Sequence, residues 1–172
     1  MTQVVQVQKT MKKQVSLKSE SAQQVAPTVA ELKKTAIDLL SRRDHSRHEL
    51  KQKLQLKGGE ADDIAAVIDW CTAENYQSDS RYCAMLVRAK VNKGYGPAVV
   101  SQAAREQGID RELLAQTLEE LEIDWFMLAL TQYQKKYAGK PVTDFQDKQK
   151  RMGFLQRRGF NSAQIQYALK PE

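Results

Sequence analysis

The chain has 172 residues, a net charge of +6 and an apolar fraction of 41%, which is enough for one compact domain or for an array of small repeats. No apolar run approaches the roughly 18 residues of a membrane helix, and no apolar stretch of a secretory signal follows Lys12 and Lys13. Two cysteines are too few for a disulfide framework or a zinc site. We therefore expect a cytoplasmic protein that does not enter a membrane.

Residues 1–27 differ in composition from the rest of the chain. They are rich in Gln, Val, Ser and Lys, and they lack helix caps and sustained periodicity. Such a composition buries too little apolar surface to offset the entropy lost on folding. We predict a flexible basic tail here.

The remaining residues have the three-and-four spacing of apolar residues that is typical of helices. The predicted fold is all-α, with three tandem three-helix repeats over residues 28–77, 78–123 and 124–172. The nine predicted helices lie near residues 29–43, 46–57 and 61–74, near 79–93, 97–107 and 111–121, and near 125–137, 144–158 and 161–169.

The repeat is anchored on three glycines spaced by about 50 residues, Gly58, Gly108 and Gly159. Matching apolar residues precede each glycine by four positions, and others follow it by six and by ten positions, as at Ile64 and Ile68. A glycine after a helix is the usual left-handed stop. Because three short helices bury little surface alone, we expect the repeats to pack on one another as an elongated array that can curve.

Cap residues support the predicted helix starts. A short polar residue precedes Glu or Gln by three positions at four places, which is the spacing of a capping box: Thr28 with Glu31, Ser46 with Glu49, Thr143 with Gln146, and Asn161 with Gln164. Asp79, Asp110 and Asp124 are further predicted caps, and Gly96-Pro97 starts another helix.

Basic and acidic blocks alternate along the chain in step with the repeat. In the first two repeats, the first two helices are basic and the third is acidic; in the third repeat, the second helix is basic. If equivalent helices align, the molecule presents a basic stripe that favours nucleic acid or an acidic protein surface. Ordinary solubilising salt bridges between adjacent helices would produce the same pattern, and both interpretations stay open.

No residues form a catalytic or metal-binding pattern. His45 and His48 flank the predicted Ser46 cap and have no third ligand at metal-site spacing, so capping and exposure explain them. Cys71 has no histidine at a motif spacing. Trp70, Trp125 and Phe126 lie near repeat boundaries, where we expect them to pack between repeats. We predict a protein that is not an enzyme and needs no cofactor.

Three groups of residues resemble, in the correct order, the signatures of the RecX family of regulatory proteins. They are Arg43-Asp44-His45-Ser46 with Glu49-Leu50 and Lys53-Leu54; Asp79-Ser80-Arg81-Tyr82 with Lys93-Gly94-Tyr95-Gly96-Pro97 and Gly108-Ile109; and Trp125, Lys136-Tyr137, Phe154-Leu155 and Arg158-Gly159-Phe160. The resemblance covers about residues 30–170 and leaves residues 1–27 unassigned.

The resemblance implies tandem three-helix repeats and regulation of the RecA recombinase. RecX proteins bind the RecA–DNA filament, are thought to lie in its helical groove, and limit its growth. ATP hydrolysis, strand exchange and co-protease activity fall as a consequence, in DNA repair and the SOS response. The candidate contacts carried over from the family signatures are Arg43, Arg81, Lys93, Tyr95 and Arg158.

Two further hypotheses compete with a filament regulator. The alternative is a general nucleic-acid-binding helical repeat protein that acts on DNA or RNA directly, and the third is an adaptor for another acidic protein. An elongated monomer would contact several filament subunits at once, so that weak contacts add. The basic stripe would also give weak, sequence-independent binding to single- and double-stranded DNA.

Overall fold

The computed structural model describes residues 26–138 and 140–170, which form nine α-helices and no strand. In chain order the helices are α1 Val29–Leu40, α2 Arg47–Gln55, α3 Ala61–Ala73, α4 Asp79–Asn92, α5 Pro97–Glu106, α6 Arg111–Glu120, α7 Trp125–Tyr137, α8 Phe145–Arg157 and α9 Ser162–Ala168.

Each predicted segment contains three of these helices, so the all-α fold of three tandem three-helix repeats is confirmed. The exact boundaries of the segments stay a prediction. Of the predicted tail, only Ala26 and Pro27 belong to the described residues. Within the described part of the chain, no helix combines the length and apolar character needed to cross a bilayer.

Side-chain caps begin most of the helices where the sequence predicts. The two terminal capping boxes form completely: Thr28 with Glu31 at α1, and Asn161 with Gln164 at α9. Asp110 caps α6, and Asp124 caps α7. Each cap accepts a hydrogen bond from a backbone N–H that has no partner inside its helix.

Other predicted caps are wrong by one residue. The cap of α8 is Asp144, not Thr143, and it accepts from the backbone N–H of Asp147 at 2.8 Å. The cap of α4 is Ser78 instead of Asp79, which becomes the first residue of the helix. Clusters of short polar residues offer several competing caps, so the sequence alone does not select among them.

Three separate cores lie along the chain, one in each repeat, and each draws buried side chains from all three helices. Trp125, at the start of the third repeat, packs against the second core, as predicted for a residue between repeats. The same prediction is wrong for two other aromatics. Trp70 packs on the core of its own repeat, and Phe126 lies on Tyr167 within the third repeat, at 5.5 Å between ring centroids.

The three anchor glycines end the second helix of each repeat in the left-handed conformation, with φ of +86° at Gly58, +71° at Gly108 and +89° at Gly159. Two of these turns also join the repeats. A Cβ atom at Gly108 would lie 2.8 Å from Cβ of His48, in the first turn of α2. A Cβ atom at Gly159 would lie 2.7 Å from the backbone nitrogen of Val99, in the first turn of α5. The glycine turn of a repeat therefore abuts the second helix of the preceding repeat, and this contact occurs at both junctions.

Candidate binding surface at the repeat junctions

The five predicted contact residues fall into two clusters, one at each junction between repeats. Arg43 and Arg81 lie at the first junction, where both donate to Asp44. Lys93, Tyr95 and Arg158 meet at the second junction, although Arg158 belongs to the third repeat. The structure thus brings residues that are distant in sequence into two local groups.

Arg81, near the start of α4, reaches back to the end of α3. Its Nη2 donates to the carbonyl oxygens of Asn75 at 3.0 Å and Tyr76 at 3.1 Å, and its Nη1 donates to Oδ1 of Asn75 at 2.8 Å. Its Nε donates to Oδ1 of Asp44 at 3.3 Å. Carbonyl groups after a helix end lack partners in the helix, so a guanidinium group that satisfies them holds this turn in place.

Arg43 forms a bidentate ion pair with Glu49, and this carboxylate also lies 3.0 Å from Nδ1 of His45 and 3.7 Å from Nζ of Lys53. Partial burial alone would raise the pKa of Glu49, but the hydrogen bonds from Arg43 and the close approach of the His45 ring outweigh it and hold the pKa below its usual value. The result is a charged network on the first turn of α2. His45 is 3% exposed, so the expectation that it is exposed is wrong.

Sequence reasoning missed a buried polar link across the first junction. The Nε2 group of Gln77 donates to the carbonyl oxygen of His45 at 3.1 Å and to Oδ1 of Asp79 at 2.8 Å. The same Asp79 oxygen accepts from the backbone N–H of Arg47, the first residue of α2, at 2.8 Å. The Asp79 carboxylate therefore caps a helix of the preceding repeat. No sequence pattern marks Gln77, because nothing local distinguishes a buried glutamine from an exposed one.

At the second junction the caps come from the backbone of the third repeat. The N–H of Gly96 donates to the carbonyl oxygen of Arg158 at 2.7 Å, and the N–H of Ala98 donates to that of Gly159 at 3.1 Å. The guanidinium group of Arg158 in turn donates to the carbonyl oxygen of Lys93 at 2.9 Å and to that of Gly94 at 3.1 Å. These bonds run in both directions, so they fix the orientation of the third repeat on the second.

Tyr95 is half-buried between two cationic side chains. The guanidinium carbon of Arg158 lies 5.8 Å from the centroid of the Tyr95 ring, and Nζ of Lys90, a residue of α4, lies 5.7 Å from the same centroid. Both distances fall within the range of cation–π attraction. The side chain of Lys93, by contrast, is exposed.

The basic residues of the first two helices of each repeat divide into two groups. Some form salt bridges, including the pair of Arg47 on α2 with Asp69 on α3. Others, within these helices or directly after them, are exposed and make no ion pair within residues 26–138 and 140–170. From this larger group we select six residues, two from each repeat, and call them the outer cations: Lys51, Lys57, Arg88, Lys93, Lys150 and Arg157. Salt bridges therefore account for only part of the basic pattern.

No reactive site emerges around the cysteines and histidines. Cys71 and Cys83 are buried, and burial raises the pKa of both thiols, which disfavours the nucleophilic thiolate. The Nε2 atom of His48 lies at hydrogen-bond distance, 2.9 Å, from Nε2 of Gln52. Among the residues that the structure describes, no group of three His, Cys, Asp or Glu side chains is arranged to hold a metal ion.

Three family models match the chain, one on each repeat. They are described as the first, second and third three-helix domains of RecX, and they match residues 33–71, 78–118 and 122–169 respectively. Together they cover most of the chain, and each match falls on one of the three-helix units.

Known proteins resemble the chain over most of its length. The regulatory protein RecX of Vibrio campbellii is 42% identical over 147 residues, which cover 86% of this chain and 94% of the relative. That of Vibrio vulnificus is 37% identical over 85% of this chain and 95% of the relative. The crystal structure of RecX from Lactobacillus salivarius superposes with a TM-score of 0.70 at 21% identity, over 82% of this chain and 94% of the other, and shows the same fold.

Proposed function

The chain belongs to the RecX family of regulatory proteins, and on that basis we propose that it binds the RecA–DNA filament and modulates RecA, mainly by inhibition. The affected activities are recombination, ATP hydrolysis and co-protease function, in DNA repair and the SOS response. We further propose that it acts in the cytoplasm as a monomer without enzymatic activity of its own.

The proposal rests on a contact between neighbouring repeats that occurs at both junctions. At both junctions, groups of one repeat cap the second helix of the preceding repeat. Three repeats held in a defined relative orientation can place several weak contacts on several subunits of a filament at once. Such contacts add, and they favour the polymer over the free subunit.

The outer cations are our proposed contact groups, with Lys93 the one predicted residue among them. The side chains of Arg43 and Arg81 are 45% and 42% exposed, so each can stabilise the first junction and still contact a partner. Tyr95 and Arg158 support the surface beside Lys93. An acidic protein surface and the phosphates of DNA would both be attracted to these charges.

Direct action on DNA or RNA is the competing function, and the outer cations favour it equally. Binding of this kind depends on phosphate neutralisation, so it weakens steeply as the salt concentration rises. On the filament hypothesis, the protein also binds bare DNA, but more weakly than it binds the RecA–DNA filament.

One titration separates the two functions. The single-stranded-DNA-dependent ATPase of RecA is measured while the protein is added in amounts too small to coat the DNA. Strong inhibition at these ratios supports filament regulation. If the ATPase falls only once the DNA is saturated with the protein, general nucleic-acid binding is the better account.

A further inference from the structure

The third repeat contains an apolar groove that the filament proposal does not use. It lies between α7, α9 and residues 140–142, and it encloses about 840 Å³. A smaller hollow of about 420 Å³ continues it between α8 and α9, and the two share Lys148, Leu169 and Lys170 in their lining. Volumes in this range are typical of sites that enclose a small ligand or several side chains of a peptide.

One wall of the groove is held in place by a buried arginine. Arg151 is 3% exposed, and its guanidinium group donates to the carbonyl oxygens of Lys140 at 2.7 Å and Pro141 at 2.9 Å. It also donates to the hydroxyl oxygen of Tyr133 at 2.7 Å and pairs with Asp147 at 2.7 Å. Because the wall is fixed before any partner arrives, ordering it costs little on binding.

The groove and its rim expose apolar side chains to water. Leu130 and Leu169 line the main groove, and Val142 on the wall is 39% exposed. Phe145, at the mouth of the smaller hollow, is 73% exposed. Contiguous apolar surface of this kind, bordered by polar groups, is typical of sites that bind another molecule.

Among the residues that the structure describes, the charged side chains that line the groove all have one sign. Lys140, Lys148 and Lys170 line it, and no carboxylate of the described residues does. Of the nearby acids, Asp147 is paired with Arg151, and Asp144 caps α8. A partner that places apolar side chains in the groove would therefore bring negative charge to its rim.

We propose that this groove binds an acidic amphipathic segment of a protein partner, whose apolar side chains enter the groove while its carboxylates meet the three lysines. A nucleic acid suits the site less well, because the described lining of the main groove is mainly aliphatic and has Tyr133 as its one aromatic side chain, whereas single strands are usually held by stacking on successive aromatic side chains. The proposal goes beyond the filament hypothesis, since it concerns the groove alone and does not require RecA.

The test uses three synthetic peptides of about 14 residues, long enough for an amphipathic helix to present two or more anchors. The first has Glu and Asp with Leu and Phe at helical spacing, the second replaces the acids by Lys, and the third replaces the apolar residues by Ser. Fluorescence anisotropy with the full chain measures the affinity for each. We expect saturable binding of the first peptide and little binding of the other two, with amide NMR shifts confined to the third repeat.

A pair of variants with equal net charge locates the site. The double variant Lys148→Glu with Lys170→Glu should bind the first peptide at least about tenfold more weakly, because attraction becomes repulsion at the rim. The control, Lys34→Glu with Lys135→Glu, changes exposed lysines outside the groove and should bind as the parent does. Unchanged thermal melting shows that both variants remain folded.

Several results would overturn the proposal. These are no binding of the first peptide at millimolar concentration, equal binding of the serine peptide, or shifts centred on another repeat. Displacement of the bound peptide by oligo(dT) would assign the groove to nucleic acid. A sedimentation mass that doubles with concentration, together with loss of peptide binding, would assign it to a second copy of the chain.

Discussion

The carbonyl oxygen of Gly159 accepts a hydrogen bond from the backbone N–H of Ala98 at 3.1 Å, although the two residues belong to different repeats. Ala98 is the second residue of α5, and its N–H has no partner within that helix. Gly159 therefore has two functions. It ends α8 in the left-handed conformation, and its carbonyl oxygen caps the second helix of the preceding repeat.

Replacement of Gly159 by alanine should destabilise the protein by about 2 kcal/mol or more. Alanine is strained at a φ of +89°, and its Cβ atom would lie 2.7 Å from the backbone nitrogen of Val99. Urea denaturation measures the loss. The control is Gly153→Ala in α8, where only the flexible end of Arg157 is near, and where alanine should be neutral or stabilise by about 0.5 kcal/mol. Equal effects of the two changes would show that Gly159 has no special part in the junction.

Replacement of Arg81 by lysine should lower stability by about 1–2 kcal/mol even though the charge is kept. A lysine cannot donate at once to Asn75, Tyr76 and Asp44, and charged hydrogen bonds at a partly exposed site contribute at this level. Chemical denaturation is again the measurement. Arg88→Lys, on the same helix and exposed, should change nothing; an Arg81→Lys variant as stable as the parent would refute the structural part given to Arg81.

Reversal of charge at Lys93 should weaken binding without loss of stability, because this side chain is exposed. We expect the Lys93→Glu variant to inhibit the RecA ATPase about threefold to tenfold less effectively, and to show a smaller dependence of DNA affinity on salt. Arg111→Glu makes the same change in net charge on the third helix of the repeat and serves as the matched control. If both variants lose activity equally, the effect is one of net charge alone.

The Glu49 network predicts a specific dependence of stability on pH. Because the pKa of Glu49 is lowered in the folded protein from a usual 4.5, its contribution is fully present above that value and is lost as the pH falls through the folded pKa. The Glu49→Gln variant should therefore be less stable than the parent near pH 7, with a difference that shrinks below about pH 4.5. Glu119→Gln, at an exposed carboxylate, is the control. A difference independent of pH would rule out a charge-dependent network.

The helices and the repeat could be predicted from sequence because their signals are local. Gly58, Gly108 and Gly159 end helices through a conformation that glycine adopts most readily, and caps such as Asp110 act on residues only three positions away. One-residue errors arose where several polar residues compete, as at Thr143 and Asp144.

The function of each candidate residue could not be predicted, because it depends on contacts between repeats. Arg81 and Arg158 are predicted contacts because they match the family signatures, yet both guanidinium groups bind backbone carbonyls across turns and junctions. The buried position of Gln77 has no local signal, and the groove held by Arg151 requires the meeting of α7, α8 and α9. Sequence could predict which residues are charged, but not which of them a partner can reach.

The most direct test of the account is amide hydrogen exchange at Gly96 and Ala98, since a defined orientation of the repeats requires the bonds that these two groups donate to the third repeat. Amides at these positions in a helix have no partner within the helix and normally exchange quickly. We predict that both are protected to nearly the same degree as the core amides of α5. Rapid exchange at both positions, with the core amides of α5 still protected, would show that the second and third repeats are not held together as described.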